Sequence, residues 1–149
     1  MRYEAGARFD AHRHDLGEEV LVLEGTFSDE FGHYHAGTFI KNPPGSSHAT
    51  FFEGGCTLFV KLRHLDRLDM GRVVVDTVGA PWLPGLVDGL SVLPLSEFGA
   101  QHTAMVRWAP GTFFSPHRHM GVRRSLSLKA CLRMSTAAIR LELGSVVHT

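Results

Sequence analysis

The chain holds 149 residues, enough for one ordinary domain with a real core, and its 15 Lys and Arg balance 15 Asp and Glu. That neutrality argues against a nucleic-acid or anionic-membrane surface, and no apolar run approaches the roughly 18 residues of a membrane span. Met1 opens onto Arg2-Tyr3-Glu4 in place of a signal peptide, and two cysteines, Cys56 and Cys131, cannot frame a disulfide scaffold, so the expected compartment is a reducing cytoplasm.

In chain order, short apolar and β-branched runs alternate with Gly, Pro and acidic punctuation. They predict strands over Ala7–His14, Glu19–Leu23, Thr38–Lys41, Ser47–Phe52, Thr57–Leu62, Arg72–Val75, Thr103–Trp108 and Thr112–His119. Their spacing of about ten residues is that of a sandwich or barrel. Asp29-Glu30-Phe31-Gly32 reads as a hairpin turn, and Asn42-Pro43-Pro44-Gly45 as a stop between strands. No sustained helical period precedes residue 120, so the expected fold is all-β.

The chain also repeats itself. Gly6, five residues, then His12-Arg13-His14 returns as Gly111, five residues, then His117-Arg118-His119. After Gly121 the likeness stops. Residues 131–149, back-translated with permitted codons and read one base earlier, can spell a segment half of whose letters match Thr26–Pro43. The expectation is a one-base deletion near Gly121 with an out-of-frame tail behind it; the alternative is a genuine basic C-terminal extension. Arg123, Arg124, Lys129, Arg133, Arg140 and Glu142 fall in that tail, which leaves a mildly acidic body before it.

Ten histidines in a chain with two cysteines suggest a metal held through nitrogen and oxygen. Alternate residues of a strand share a face, so His12 and His14 present two imidazoles side by side. Glu18 returns a carboxylate from the start of the next strand, and His48 supplies a third imidazole from a strand adjacent in a closed barrel. Three nitrogens and one oxygen suit Zn(II), Fe(II), Mn(II) or Ni(II). Glu18 and Glu19 point to opposite faces, and spacing selects Glu18.

Gly6, His12, His14, Glu18 and Gly25, followed by Gly37, Pro43-Pro44-Gly45 and His48, resemble the two sequence blocks of the cupin superfamily. Phe52 stands where the second block often ends in asparagine. The fuller stretch from Gly17 to His48 is similar to ChrR-type cupins, found as the C-terminal domain of zinc-dependent anti-sigma factors and in stand-alone or tandem relatives. It is also similar to acetylacetone-cleaving dioxygenases. The resemblance implies a jelly-roll barrel with His12, His14, Glu18 and His48 as ligands to one divalent metal, zinc or ferrous iron before manganese or nickel.

The expected organisation is a first cupin over residues 1–70, clipped at its N-terminus. The start of a second follows over 71–121, and the doubtful tail covers 122–149. Arg72–Val106 either opens the second copy or folds back to complete the first barrel. The resemblance implies a sensory or regulatory module, the alternative being a non-haem dioxygenase acting on a small diketone or hydroxyaryl ketone. The expected partners are a small-molecule ligand and a second copy of the chain, with neither nucleic acid nor membrane. A sigma factor is expected only through a helical zinc domain absent from this sequence.

Other residues read more plainly. His33 and His35 follow the hairpin turn and are expected at the surface; His117 and His119, without a full partner set, are expected to be weak or empty ligands. His64 and His102 carry no pattern. Arg13 and Arg118 read as outward salt-bridge residues, Cys56 as a buried small hydrophobe, and Lys61–Asp69 as a solvated strand end and linker. Phe39, Phe51, Phe52 and Phe59 are core candidates that could also line a pocket above the metal.

Overall fold

The computed structural model describes residues 1–113 and, beyond them, the strand backbone of Ser127–Leu128 and Leu143–Gly144. Among the described residues there is no helix, hence none long and apolar enough to cross a membrane, and every strand pairing is antiparallel. The all-β expectation holds.

In the first unit, Met1–Phe113, the strands are β1 (Arg2–Tyr3), β2 (Ala7–His14), β3 (Glu18–Asp29), β4 (Gly32–His35), β5 (Thr38–Asn42), β6 (Ser46–Phe52), β7 (Cys56–Leu62), β8 (Val73–Asp76), β9 (Leu83–Pro84), β10 (Leu90–Phe98) and β11 (Gln101–Trp108). One layer runs β1-β7-β3-β5-β8. The other is built from β2, β6, β4 and the second half of β3. The single strand β3 therefore serves both layers: Glu18–Gly25 pairs with β7, and Thr26–Asp29 pairs with β4. It turns the corner at Gly25, whose φ is +76°, and a Cβ there would run into the Gly55 carbonyl oxygen. A residue at that corner must be glycine, because an L side chain meets both a left-handed backbone and a facing strand.

Alternation along the strands divides the apolar residues between two cores. Val20, Val22, Ile40 and Leu58 from the first layer meet Phe27, Tyr34 and Phe52 from the second. Ile40 and Phe52 are 0% and 2% exposed, and each such burial stabilises the fold by roughly 1.5–3 kcal/mol. Phe39, of opposite parity to Ile40, faces outward and joins Leu93 and Leu95 with Leu21, Val73, Val75 and Trp82. The three-stranded sheet β11-β10-β9 is thus packed on the outer face of the barrel.

Residues 72–106 accordingly do two things. β8 extends the first layer by pairing with β5, Val73 opposite Lys41 through Asp76 opposite Thr38, while β9–β11 form the covering sheet. In the second unit, Phe114–Thr149, β12 (Ser127–Leu128) pairs with β13 (Leu143–Gly144). The expectations for His117, His119, Arg118 and the out-of-frame tail lie outside the described residues.

Several strand expectations need correction. β3 does not stop at Leu23: Gly25 bends the strand into the other layer without ending it. The predicted strand from Thr112 does not form at Thr112 or Phe113, and β11 ends at Trp108. β10 escapes the sequence pattern because Pro94 reads as a strand breaker; it sits where the register with β11 shifts, between Pro94 and Ser96. The run Lys61–Asp69 is not simply solvated. Leu65 is buried, Lys61 binds Glu19, and Asp69 holds Lys41 through two 2.7 Å bonds.

Candidate metal centre

Pairing of β2 with β6 puts His12 directly opposite His48, and His14 lies two residues on along the same face. The three rings form a near-equilateral triangle, with centroids 4.8, 4.9 and 5.0 Å apart. One ligand nitrogen from each lies within 4.8 Å of the others, and the His14 and His48 Nε2 atoms are 3.0 Å apart.

Glu18 reaches the same point from the first residue of β3. The chain gets there by a tight turn at Gly17, φ +65°, where a Cβ would strike Leu65 and the Asn42 carbonyl. Glu18 Oε1 lies 3.2 Å from His48 Nε2 and 3.4 Å from His14 Nε2, and it accepts a 2.9 Å bond from the Asn42 amide. Its side chain is 6% exposed.

The imidazoles are oriented from behind. His48 Nδ1–H donates to Asp29 Oδ2 at 3.3 Å, and His12 Nδ1–H donates to the Asp10 carbonyl at 3.0 Å. Both bonds leave Nε2 for the centre, the arrangement in which an outer carboxylate or carbonyl sets the tautomer of a ligating histidine. Burial, with Glu18 opposing and His48 and His12 adding, holds His14 below the ordinary imidazole value, which favours the form able to ligate. Burial works against ionising Asp29, but bonds from His48, the Phe31 amide and Tyr34 outweigh it and keep its carboxyl below the usual range. Three convergent imidazole nitrogens, with a buried carboxylate beside two of them, form a cluster that could hold a metal ion.

The triad forms one side of a cavity of about 420 Å³. Tyr3, Phe9, Phe27, Phe52, Leu58 and Val60 make its apolar walls. Tyr3 stacks on Phe52 at 4.3 Å, and Phe9 meets both rings edge-on. His12 is exposed while His48 is buried, so the centre faces solvent on the His12 side. Of the four candidate phenylalanines, Phe52 lines this cavity, Phe39 belongs to the outer core, and Phe51 stacks edge-on with His33 on the outside.

Elsewhere, His33 and His35 are exposed and bond the Ser28 and Thr26 hydroxyls, away from the centre. Arg13 pairs with Asp15 in solvent at 3.6 Å. Cys56 is 5% exposed, and burial pushes its thiol up to about 11. His64, which showed no pattern, binds Glu19 at 3.0 Å. Glu19 points away from the centre, as alternation requires, and its partners are Lys61 at 2.6 Å, Thr103 at 2.6 Å and Ser96 at 3.3 Å. Burial opposes its charge, yet these bonds draw its pKa down to about 2. Sequence reasoning missed Asp29, seen only as a turn residue, and Asn42, seen only as a strand stop. A short polar side chain facing a ligand leaves no periodic signal.

No curated protein matches this chain. Residues 1–66 and again residues 70–134 match the ChrR Cupin-like domain. With a paired match over most of its length, a jelly-roll topology and a histidine triad placed to hold a metal ion, the chain belongs to the ChrR Cupin-like domain family.

Proposed function

We propose that the chain is a metal-dependent sensory module. One divalent ion, zinc or ferrous iron, is bound by His12, His14, Glu18 and His48, and a small apolar molecule is read at the ion's open side. The observation that supports this most strongly is the convergence of three imidazoles on the flank of an apolar cavity, with the Glu18 carboxylate 3.2 Å from His48 and 3.4 Å from His14. The imidazoles supply neutral donors, and the glutamate offsets part of the ion's charge in a site partly shielded from water. When bound, the metal supplies Lewis acidity toward an oxygen or nitrogen of the incoming molecule. Tyr3, Phe9 and Phe52 hold that molecule's apolar body, and Glu18, fixed by Asn42, keeps the charge of the centre constant. Asp10, Arg13, Asp15 and Arg63 are exposed at the rim, which favours recognition over acid–base turnover.

Purified protein is expected to carry about one metal per chain, lost in both His12→Ala and His48→Ala by elemental analysis. Retention in both variants overturns the assignment.

The second reading is a non-haem dioxygenase for a small diketone or hydroxyaryl ketone. The size of the cavity and its aromatic walls favour it, since a drug-sized planar molecule needs about 300 Å³ or more. Oxygen uptake by the iron-loaded protein with such ketones decides between the two. Sustained uptake establishes the enzyme, whereas ligand binding without uptake supports the sensor.

A further inference from the structure

We infer that Arg72, which lies outside the metal motif, is a positioning residue for the metal centre: it is the middle of a chain of five side-chain hydrogen bonds that runs from His48 to Glu18 and orients them together. The inference rests on the metal-binding reading above.

The hydrogen-bond chain can be followed atom by atom. His48 Nδ1 meets Asp29 Oδ2 at 3.3 Å, and Asp29 Oδ1 accepts the Tyr34 hydroxyl at 3.3 Å. The Tyr34 oxygen in turn accepts Arg72 Nη2 at 2.6 Å. Arg72 Nε donates to Asn42 Oδ1 at 3.2 Å, and Asn42 Nδ2 donates to Glu18 Oε1 at 2.9 Å. Glu18 Oε1 lies 3.2 Å from His48 Nε2. Five of the six members, all but Arg72, are buried.

Arg72 gives this hydrogen-bond chain its direction, because a guanidinium can only donate. On one arm it takes the Asn42 oxygen, so the amide must turn its NH₂ toward Glu18. Glu18, which only accepts, asks the same orientation of the amide from its other end, so Arg72 and Glu18 together disfavour a flip. On the other arm it occupies the Tyr34 oxygen, which sends the phenolic hydrogen to Asp29 Oδ1. Asp29 Oδ2 then remains to accept from His48 Nδ1, which turns Nε2 toward the centre. Asp29 Oδ1 also accepts the Phe31 and Gly32 amides at 2.9 and 3.1 Å, so Arg72 reinforces both the placement of the Glu18 oxygen and the bond behind His48. The Arg72 plane is held by Tyr34 and Phe31, with ring centroids 5.7 and 5.2 Å from Cζ. Among the described residues no carboxylate forms an ion pair with it.

The placement joins the two halves of the chain. Arg72 precedes β8 and lies inside the second family match, whereas the ligands it orients lie in the first. A fragment that ends before it would keep all four ligands and lose the device that aims two of them.

Zinc affinity measured by chelator competition on the full chain tests this, with Arg72→Ala, Arg72→Lys and Tyr34→Phe beside the parent. Arg72→Ala is expected to weaken zinc by roughly 10–100-fold. Arg72→Lys should not restore it, since an ammonium lacks the fixed fork that spans both acceptors. Tyr34→Phe removes one hydroxyl and breaks one arm only, so a smaller loss in the same direction is expected. The visible absorption bands of the cobalt-loaded Arg72 variants should also shift, which a residue that merely fastens β8 would leave in place. Unchanged zinc affinity and unchanged cobalt bands in Arg72→Ala, with the parent still binding zinc, overturn the inference and leave the metal reading standing. Should Arg72→Ala fail to unfold cooperatively when metal-free, Tyr34→Phe decides by the same comparison. A parent chain that binds no zinc or cobalt overturns the metal reading and this inference with it.

Discussion

The two faces of β3 put adjacent glutamates to opposite uses. On the inner face Glu18, 4% exposed, meets two imidazoles and a neutral amide. On the outer face Glu19, 2% exposed, is held by the Lys61 ammonium, His64 and two hydroxyls. Burial is the same; the partners differ. A carboxylate whose neighbours include a cation is already neutralised and fastens structure, in this case β3, β7 and the covering sheet β10–β11. One surrounded by neutral donors keeps its charge available for a cation that arrives later. The side of the strand proposed to hold metal is therefore distinguished by what is missing around Glu18, and the structural side by what surrounds Glu19.

Four measurements sharpen or break that contrast. The largest effect is expected from Glu19→Ala, which strands Lys61 and His64 and should lower metal-free stability by about 3–5 kcal/mol in urea unfolding. Its zinc affinity should stay near that of the parent; a large loss of zinc would dissolve the division between the two faces. Next comes acid. Because the Glu19 pKa is drawn from 4.5 down to about 2, its stabilisation is complete above pH 4.5 and is lost as pH falls toward 2. The loss amounts to about 3 kcal/mol and should be missing from the acid-unfolding curve of Glu19→Gln.

Glu18→Ala should do the reverse of Glu19→Ala: zinc affinity falls by about 100-fold or more, beyond the usual outer-group effect, while metal-free unfolding changes little. A comparable loss of stability in both alanine variants would show that Glu18 is structural as well. Asp29→Asn is expected to have the smallest effect, weakening zinc by about tenfold through the orientation of His48. If that variant binds zinc as the parent does, His48 is aimed by packing alone.

The ligand candidates were readable because their signals are local or belong to a motif. His12 and His14 follow the two-residue period of a strand, and Glu18 and His48 stand at spacings the cupin blocks share. That Glu18 and Glu19 face opposite ways follows from alternation, spacing selects Glu18, and in the structure Glu18 lies beside His14 and His48 while Glu19 binds Lys61. Tyr34, Asn42, Asp29 and Arg72 were not readable as a group. They lie on three different strands and a connecting segment, and each has an ordinary local explanation as core, strand stop, turn or surface charge. Their relation exists only once β3, β4, β5 and the segment before β8 are brought together. His64 was missed for the same reason, since its partner Glu19 is 45 residues away.

By itself, the sequence determined the strand class and which residues carry donor atoms suited to a metal, because alternation and donor chemistry are properties of short segments. Only the tertiary structure decided how those residues are aimed. The bonds behind Glu18 and His48 run through a donor-only guanidinium that arrives 24 residues after His48, and no local pattern encodes which distant side chain will face which. The covering sheet over β3 was likewise settled in three dimensions, where Leu93 and Leu95 met Phe39 and the outer glutamate found its cation.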